Sequence, residues 1–285
     1  MIGDMQKWTP NVAGIIEHAR EIHPKTEIIS RLVSGEIHRS NYEKVCIRSR
    51  KLASALEKDG VKKGDVIATL ALNTYRHLEM YYGISGMGAI THTLNFRLHP
   101  EQAVYIINHA EDKIIFVELP FVPILEALQE NLKTVEKYVV LCEVDEMPET
   151  TLKNAISYEE YIQDGDENYS WPTLEDDAAC ALCYTSGTTG NPKGVLYSHK
   201  SNVIHAQAAL TAMTIKPDDT ILMVVPLFPF LAWGIPYFGP MNGLKLVMPG
   251  MQMEGEPLFE LIDQEDVTLA FGVPTIWMGL LAYCR

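Results

Sequence analysis

Apolar and polar positions follow two different periods along the chain, and the two periods predict strands and helices in alternation. Continuous apolar runs of four to seven residues are typical of strands that are buried on both faces. With Thr69 and Lys245 as the polar exceptions, they occur at 66–72, 114–117, 138–141, 178–184, 221–225 and 244–248. The segments between them show helical spacing; after Pro100, for example, Ala103, Ile106 and Ile107 share one face. This alternation predicts an α/β fold with mostly parallel sheets covered by helices on both sides.

The region before the first of these runs carries signals for a hairpin and a helix. Two short apolar runs within 27–39 flank Ser34-Gly35 and predict a β-hairpin. Ser40 and Glu43 have the spacing of a capping box, which predicts that a helix begins here. Gly60 supplies the stop signal for that helix.

Composition and charge limit the partners that the chain can have. The chain has 285 residues, enough for one large or two medium domains, and a net charge of −14. This charge disfavours nucleic acid and anionic membrane surfaces as general partners. Residues 143–177 hold twelve acidic residues against the single lysine Lys153, and we interpret this segment as a solvated boundary region.

A long uncharged stretch raises the question of a membrane span. Residues 221–244 carry no charge, but four prolines fall within them, and each removes a helix hydrogen bond. We therefore predict a buried strand followed by an irregular pocket wall, and no transmembrane segment. The first ten residues lack a signal-peptide pattern, so a cytoplasmic location is expected. Five cysteines show no framework spacing, and Cys180 and Cys183 are expected to be core residues.

Residues 184–194 carry the most distinctive chemistry in the chain. They read Y-T-S-G-T-T-G-N-P-K-G and directly follow the apolar run at 178–184. Such a loop offers many backbone N–H groups, several hydroxyls and one ammonium, which is the chemistry of a phosphate cradle. A Walker A loop is excluded because Gly187 and Gly190 are three apart and Lys193 is followed by Gly194. The alternative is an ordinary surface turn.

Together with Ser198-His199, this motif resembles the AMP-binding signature of the adenylate-forming enzymes. Segments 60–66, 86–89, 95–98 and 108–112 also resemble, in order and spacing, the N-terminal lobe of fatty-acyl-CoA synthetases. The resemblance implies two stacked α/β lobes. The first would span 1–175 with the acidic boundary segment 143–177, and the second would span 176–285 and carry the phosphate loop. The second lobe would be incomplete, with the family's C-terminal domain and a metal-binding glutamate absent from this sequence.

The resemblance also implies the activity of an acid–thiol ligase and its cofactors; this activity is expected to belong to the full-length enzyme, with the 285-residue chain alone inactive or impaired. It implies that a fatty acid attacks the α-phosphate of ATP with Mg²⁺, and that coenzyme A then displaces AMP to give a thioester. Thr185 and Lys193 would be the catalytic residues, and Thr185 would also bind Mg²⁺. The phosphates would be bound by Thr185 and Lys193 together with Ser186, Gly187, Thr188, Thr189 and Gly190.

Further matches concern the acyl pocket. Phe228, Trp233 and Gly234 resemble the residues that line it in the family, with Trp233 as the candidate gate, although a large core aromatic explains Trp233 equally well. Pro229 departs from the family pattern, which has a histidine there. The alternative function is therefore a catalytically inactive remnant that binds nucleotide or an acyl chain. A homodimer is compatible with the family, and a generic P-loop kinase does not fit the loop spacing.

Overall fold

The computed structural model describes residues 8–175, 177–185, 191–228 and 230–285. The strands in these ranges are β1 Glu27–Arg31, β2 Ile37–Asn41, β3 Val66–Leu70, β4 Ile90–Thr93, β5 Ile114–Val117, β6 Lys137–Val140, β7 Ala155–Ser157, β8 Ala179–Thr185, β9 Lys193–Ser198, β10 Thr220–Met223, β11 Lys245–Met248 and β12 Leu269–Phe271. The helices are α1 Val12–Ile22, α2 Tyr42–Lys58, α3 Tyr75–Gly86, α4 Pro100–Ala110, α5 Val122–Leu128, α6 Tyr158–Gln163, α7 His199–Met213, α8 Ile235–Met241, α9 Gly255–Gln264 and α10 Pro274–Tyr283.

The strands form two sheets that are parallel over most of their width. One has seven strands in the order β7-β6-β5-β3-β4-β8-β9, and the other has five in the order β12-β10-β11-β1-β2. Only the outer hairpins β8–β9 and β1–β2 are antiparallel. The predicted α/β fold with mostly parallel sheets is confirmed. The six apolar runs became strands whose bounds lie within two residues of those predicted.

Strand pairing crosses the predicted boundary between the two lobes. The phosphate-loop strand β8 was expected in the second lobe, but it pairs with β4 in the seven-stranded sheet. The hairpin β1–β2 was expected in the first lobe, but β1 pairs with β11. Neighbours in a parallel sheet are chosen by packing between distant segments, so chain order does not reveal them. The division of domains at residue 176 itself stays a prediction.

Local signals explain where the elements begin. The hairpin predicted within 27–39 forms as β1 and β2. Helix α2 begins one residue later than the capping box implied, because Asn41 is the cap and its side chain accepts the Lys44 N–H at 2.9 Å. Helix α4 begins at Pro100, whose missing N–H costs nothing in the first turn.

The two sheets share one large apolar cluster. It combines side chains from β8 of the seven-stranded sheet and from β1, β10 and β11 of the five-stranded sheet, with helices α1, α3, α7 and α8 between them. Helix α3 is buried along its whole length. Tyr82 on this helix donates to the backbone oxygen of Pro236, and Tyr42 on α2 donates to that of Leu244 at 2.6 Å. These hydroxyls join α3 to α8 and α2 to the residue before β11, as buried tyrosines need a partner.

The acidic segment 143–177 is more structured than a solvated boundary. It contains β7 and α6, and Tyr158 and Ile162 on α6 are buried. Glu159 accepts from Arg48 at 2.8 and 2.9 Å and from Arg76 at 3.0 Å. Burial raises the pKa of Glu159, but the two guanidinium groups outweigh it and hold that pKa below its usual value. Part of the negative charge is therefore used inside the fold.

Two further features concern the membrane question and the cysteines. None of the helices there is long and apolar enough to cross a membrane. Cys180 and Cys183 are both buried, which confirms that they are core residues.

Candidate active site

The hairpin β8–β9 carries the phosphate-loop motif. Strand β8 ends at Thr185 and strand β9 begins at Lys193, and these two residues are paired directly across the hairpin. The Thr185 hydroxyl donates to the Lys193 carbonyl oxygen at 3.4 Å, and the Lys193 side chain is exposed. The structure thus brings the two candidate catalytic residues together at the loop end of the hairpin. Ser186, Gly187, Thr188, Thr189 and Gly190 lie outside the described residues.

The position of this hairpin end follows from the topology of the sheet. Strands β3, β4 and β8 run parallel, so their carboxyl ends meet at one edge. Thr93 and Thr185 are the last residues of β4 and β8. In open α/β sheets, ligands bind in the crevice outside these carboxyl ends. Thr185 and its cross-strand partner Lys193 therefore lie where this type of sheet binds ligands.

A cleft of about 230 Å³ lies at the same edge. Thr185, Thr93 and Phe228 all line it. The Thr93 hydroxyl donates to the Phe228 carbonyl oxygen at 2.9 Å, which holds Phe228 against the end of β4. Phe228 lies in the segment after β10 of the five-stranded sheet, so the cleft combines the edge of one sheet with the segment that leaves the other. Two of the predicted site residues, Thr185 and Phe228, share this cleft.

Trp233 and Gly234 lie elsewhere, beside helix α7. Trp233 is 43% exposed and lines two clefts, of about 490 and 390 Å³, that also share His205. The larger cleft has a polar side formed by Ser201 and Asn202. The other is lined mainly by small or apolar side chains, namely Ala208, Ala209, Ala212, Met213, Ile235, Phe238 and Phe271. Trp233 therefore stands between a partly polar and an apolar compartment.

The backbone around Trp233 is left-handed over four consecutive residues. The φ angles of Leu231, Ala232 and Trp233 are 50°, 49° and 56°, and that of Gly234 is 84°. Each non-glycine residue in this region costs about 1–2 kcal/mol. A Cβ on Gly234 would lie 2.5 Å from Nδ1 of His205, so both backbone and space require glycine there. Pro229, which departs from the family pattern, lies outside the described residues.

Sequence reasoning missed a residue that holds the wall of the first cleft. The side chain of Asn73, just after β3, donates to the carbonyl oxygens of Met223 at 2.7 Å and Val225 at 2.8 Å, and accepts the Leu227 N–H at 2.9 Å. Tyr81 on α3 also donates to the carbonyl oxygen of Leu227. The available signal was a polar residue directly after a buried strand, at the edge where ligands bind.

His199, the last residue of the signature, has a structural environment. It is fully buried and accepts the Val12 N–H at Nδ1 over 3.3 Å, which joins the start of α7 to α1. Burial lowers its pKa to about 4, so the imidazole is neutral. Within the described ranges, no group of three or more His, Cys, Asp or Glu side chains could hold a metal ion. A magnesium ion here would have Thr185 as a hydroxyl ligand and would need further oxygens.

Comparison with known proteins gives one consistent family. The sequence matches the family described as AMP-binding enzyme over residues 16–285. The medium-chain-fatty-acid–CoA ligase of Ectopseudomonas oleovorans is 45% identical over 99% of this chain and 52% of its own. The long-chain-fatty-acid–CoA ligase of Thermus thermophilus is 41% identical over 96% of this chain and 49% of its own. The chain thus spans about half the length of the curated relatives it matches.

The fold comparison agrees. The crystal structure of the anthranilate CoA ligase AuaEII with anthranoyl-AMP superposes with a TM-score of 0.87 at 23% identity, covering 99% of this chain and 53% of that one. At this sequence identity the match supports the fold and nothing beyond it. The fold, the signature motif at the carboxyl edge of the sheet and the family match agree, and the chain belongs to the AMP-binding enzyme family.

Proposed function

We propose that this chain supplies the phosphate-binding and acyl-binding part of an ATP-dependent fatty-acid–CoA ligase. The observation that carries the proposal is the cleft that is lined both by Thr185, at the loop end of the phosphate-loop hairpin, and by Phe228, from the segment after β10. The relatives named medium-chain- and long-chain-fatty-acid–CoA ligase support the choice of substrate class.

The reaction proceeds in two steps. A carboxylate oxygen attacks the α-phosphorus of ATP, and the bond from that phosphorus to the bridging oxygen breaks, giving acyl-AMP and pyrophosphate. The coenzyme A thiol then loses its proton and attacks the acyl carbon, and AMP leaves as the thioester forms. Most of the catalytic demand in the first step is positioning and charge stabilisation at the phosphates.

The residues of the hairpin would meet that demand. The Lys193 ammonium, at the start of β9, would offset charge on the departing pyrophosphate. The Thr185 hydroxyl would contribute one oxygen to Mg²⁺, which when bound neutralises triphosphate charge. The hydroxyls and N–H groups of 186–190 would bind the β- and γ-phosphates.

The clefts beside α7 suit the acyl chain. The apolar compartment of about 390 Å³ is large enough for a flexible hydrocarbon chain, and its alanines leave room for it. Trp233 would act as a gate between this compartment and the partly polar one. Gly234 permits the left-handed turn that presents the indole.

The test is an assay of the 285-residue chain with ATP, Mg²⁺, octanoate or palmitate, and coenzyme A. AMP, pyrophosphate and acyl-CoA are measured by chromatography and mass spectrometry. Thr185→Ala should lower the rate about 10- to 100-fold, as expected for loss of a bond to a charged group, whereas Thr185→Ser should retain most of it. A wild-type chain that makes no AMP and binds no ATP would overturn the proposal.

A second candidate function is binding without turnover. Pro229 in place of the family's histidine favours it. In that case the same chain would bind ATP or fatty acid in calorimetry and release neither AMP nor pyrophosphate. The cytoplasmic location and the homodimer stay predictions.

A further inference from the structure

The end of strand β8 extends beyond its support from β4. The pairs that join β4 to β8 are Thr91–Ala181 and His92–Leu182, which leaves the last three residues of β8 past the final pair. On the other side, β9 is the outermost strand of the sheet, and its first four residues are exposed. The strand end that carries Thr185 is therefore attached to the body of the protein by side-chain contacts, of which one is the Thr93 hydroxyl of β4 at 3.4 Å from Sγ of Cys183.

Tyr184 provides such an attachment through its side chain. Its hydroxyl lies 2.6 Å from Nδ1 of His109, which is in the last turn of α4 and exposed. In the tautomer that carries its proton on Nε2, His109 accepts the hydroxyl proton. Burial raises the pKa of Tyr184 to about 12, so its hydroxyl stays a donor at neutral pH.

The other side of the Tyr184 ring rests on a fixed imidazole. The ring centroid of His92 lies 5.2 Å from that of Tyr184. His92 is held at Nδ1 by both oxygens of Asp112, at 2.8 and 3.0 Å, and both side chains are fully buried. Asp112 lies two residues after α4, so His92 and His109 are both tied to the same end of that helix.

We propose that Tyr184 and His109 are positioning residues for the phosphate site. Their hydrogen bond ties the end of β8 to α4 and thereby fixes Thr185, with Lys193 paired opposite it. It also holds the Tyr184 ring in the wall of the cleft that Thr185 and Phe228 share. The inference rests on the proposed function, because the position of Thr185 matters to a ligand only if the chain binds ATP.

A double-mutant cycle on the 285-residue chain tests the pair. Binding of ATP with Mg²⁺ is measured by calorimetry for the wild type, Tyr184→Phe, His109→Ala and the double variant. Each single variant should weaken binding about three- to tenfold, the typical worth of one hydrogen bond, and the double variant should be no weaker than either. Additive losses would overturn the proposal.

Two controls separate positioning from a general loss of structure. His109→Asn carries an amide oxygen near the place of Nδ1 and should restore binding to within about twofold of the wild type. Tyr105→Phe removes a hydroxyl from the same helix and should leave binding unchanged. All variants should melt within about 3 °C of the wild type, since a single hydrogen bond contributes little to a chain of this size. Failure of His109→Asn to restore binding would count against the pair.

A second measurement holds even if the wild type binds no ATP, a result that would refute the proposed function alone. Amide hydrogen exchange is followed at Thr185, Gly194 and Val195 in the hairpin, and at Ile115 in β5 as a reference. Tyr184→Phe should speed exchange in the hairpin at least about threefold and leave Ile115 unchanged. Unchanged exchange in the hairpin would refute the attachment itself.

Discussion

Asn73 offers the sharpest test of how the two sheets are held together. It is 3% exposed, and its side chain makes three hydrogen bonds of 2.7, 2.8 and 2.9 Å to the backbone of Met223, Val225 and Leu227. Asn73 follows β3 of the seven-stranded sheet, whereas these three backbone groups lie in the last residue of β10 and the segment after it. One amide thus connects the two sheets beside the cleft. Asn73→Ala removes all three bonds at once.

The expected loss can be worked from these contacts. Each net hydrogen bond is worth about 0.5–1.5 kcal/mol, so three give about 1.5–4.5 kcal/mol. The backbone carbonyls and N–H that lose their partner add a desolvation cost to this loss, and partial relaxation of the structure reduces that cost. We expect about 3 kcal/mol of lost unfolding free energy, which corresponds to a fall of roughly 6–12 °C in the melting temperature of a large domain.

Urea unfolding followed by far-ultraviolet circular dichroism measures this loss. Asn131→Ala, at an exposed asparagine, is the matched control and should stay within about 0.5 kcal/mol of the wild type. Asn73→Asp keeps the shape and the acceptor but loses both amide donors, so it should cost at least as much as alanine. If Asn73→Ala fell within the range of the control, or Asn73→Asp were tolerated, the hydrogen-bond argument would be refuted.

Three further predictions concern buried groups and one glycine. Burial raises the pKa of Glu118 from 4.5 to about 7, so the stability that its protonated form contributes is lost as pH rises from 4.5 to 7. The free energy of unfolding of the wild type should therefore fall by about 3 kcal/mol between pH 5 and 8. In unfolding curves at these two pH values, Glu118→Gln should lack this fall. Burial lowers the pKa of His77 from 6.5 to about 4, so the stability that its neutral form contributes is present above pH 6.5 and lost on acidification. Between pH 7 and 4, His77→Gln should lose about 3 kcal/mol less unfolding free energy than the wild type. An unchanged pH dependence in this range would contradict the assignment. Gly234→Ala should destabilise the chain by about 2–4 kcal/mol in thermal unfolding, because φ is 84° and the new Cβ would lie close to the His205 side chain. Gly279→Ala, in open space on α10, should be neutral or stabilising. Equal effects of the two substitutions would refute the steric argument.

The arrangement of the sheets explains why the candidate site has two parts. Thr185 and Phe228 meet because the shared core brings the carboxyl edge of one sheet against the segment that leaves the other. Trp233 lies beside α7, the helix that follows β9 directly. The strand that carries Thr185 and the clefts beside Trp233 are thus connected through β9 and α7.

Much of the local structure followed from sequence patterns. The apolar runs predicted β3, β5, β6, β8, β10 and β11 to within two residues, because a strand buried on both faces has few polar positions. Turn and capping residues predicted the first hairpin and the starts of α2 and α4 to within one residue. The eleven-residue motif indicated both the family and the place of Thr185 at the end of a buried strand.

Other local features carried no comparable signal. Helix α1 was not predicted, although its own sequence carries the signal: Asn11 caps it, and Val12, Ile16 and Ala19 share a buried face at helical spacing. The acidic segment suggested solvent exposure from its charge. In the fold, Arg48 and Arg76 lie far away in sequence and pair with Glu159. An ion pair between distant residues leaves no pattern in either segment.

The sequence by itself determined which segments are strands or helices, the α/β class and the phosphate-loop motif, because these depend on neighbours a few residues apart. Only the tertiary structure decided that β8 joins β4 and that β1 joins β11, and therefore which side chains face the cleft. Those pairings, like the contact of Asn73 with Leu227, join residues that are 90 or more positions apart. Such contacts are selected by the packing of the whole core, which no local pattern encodes.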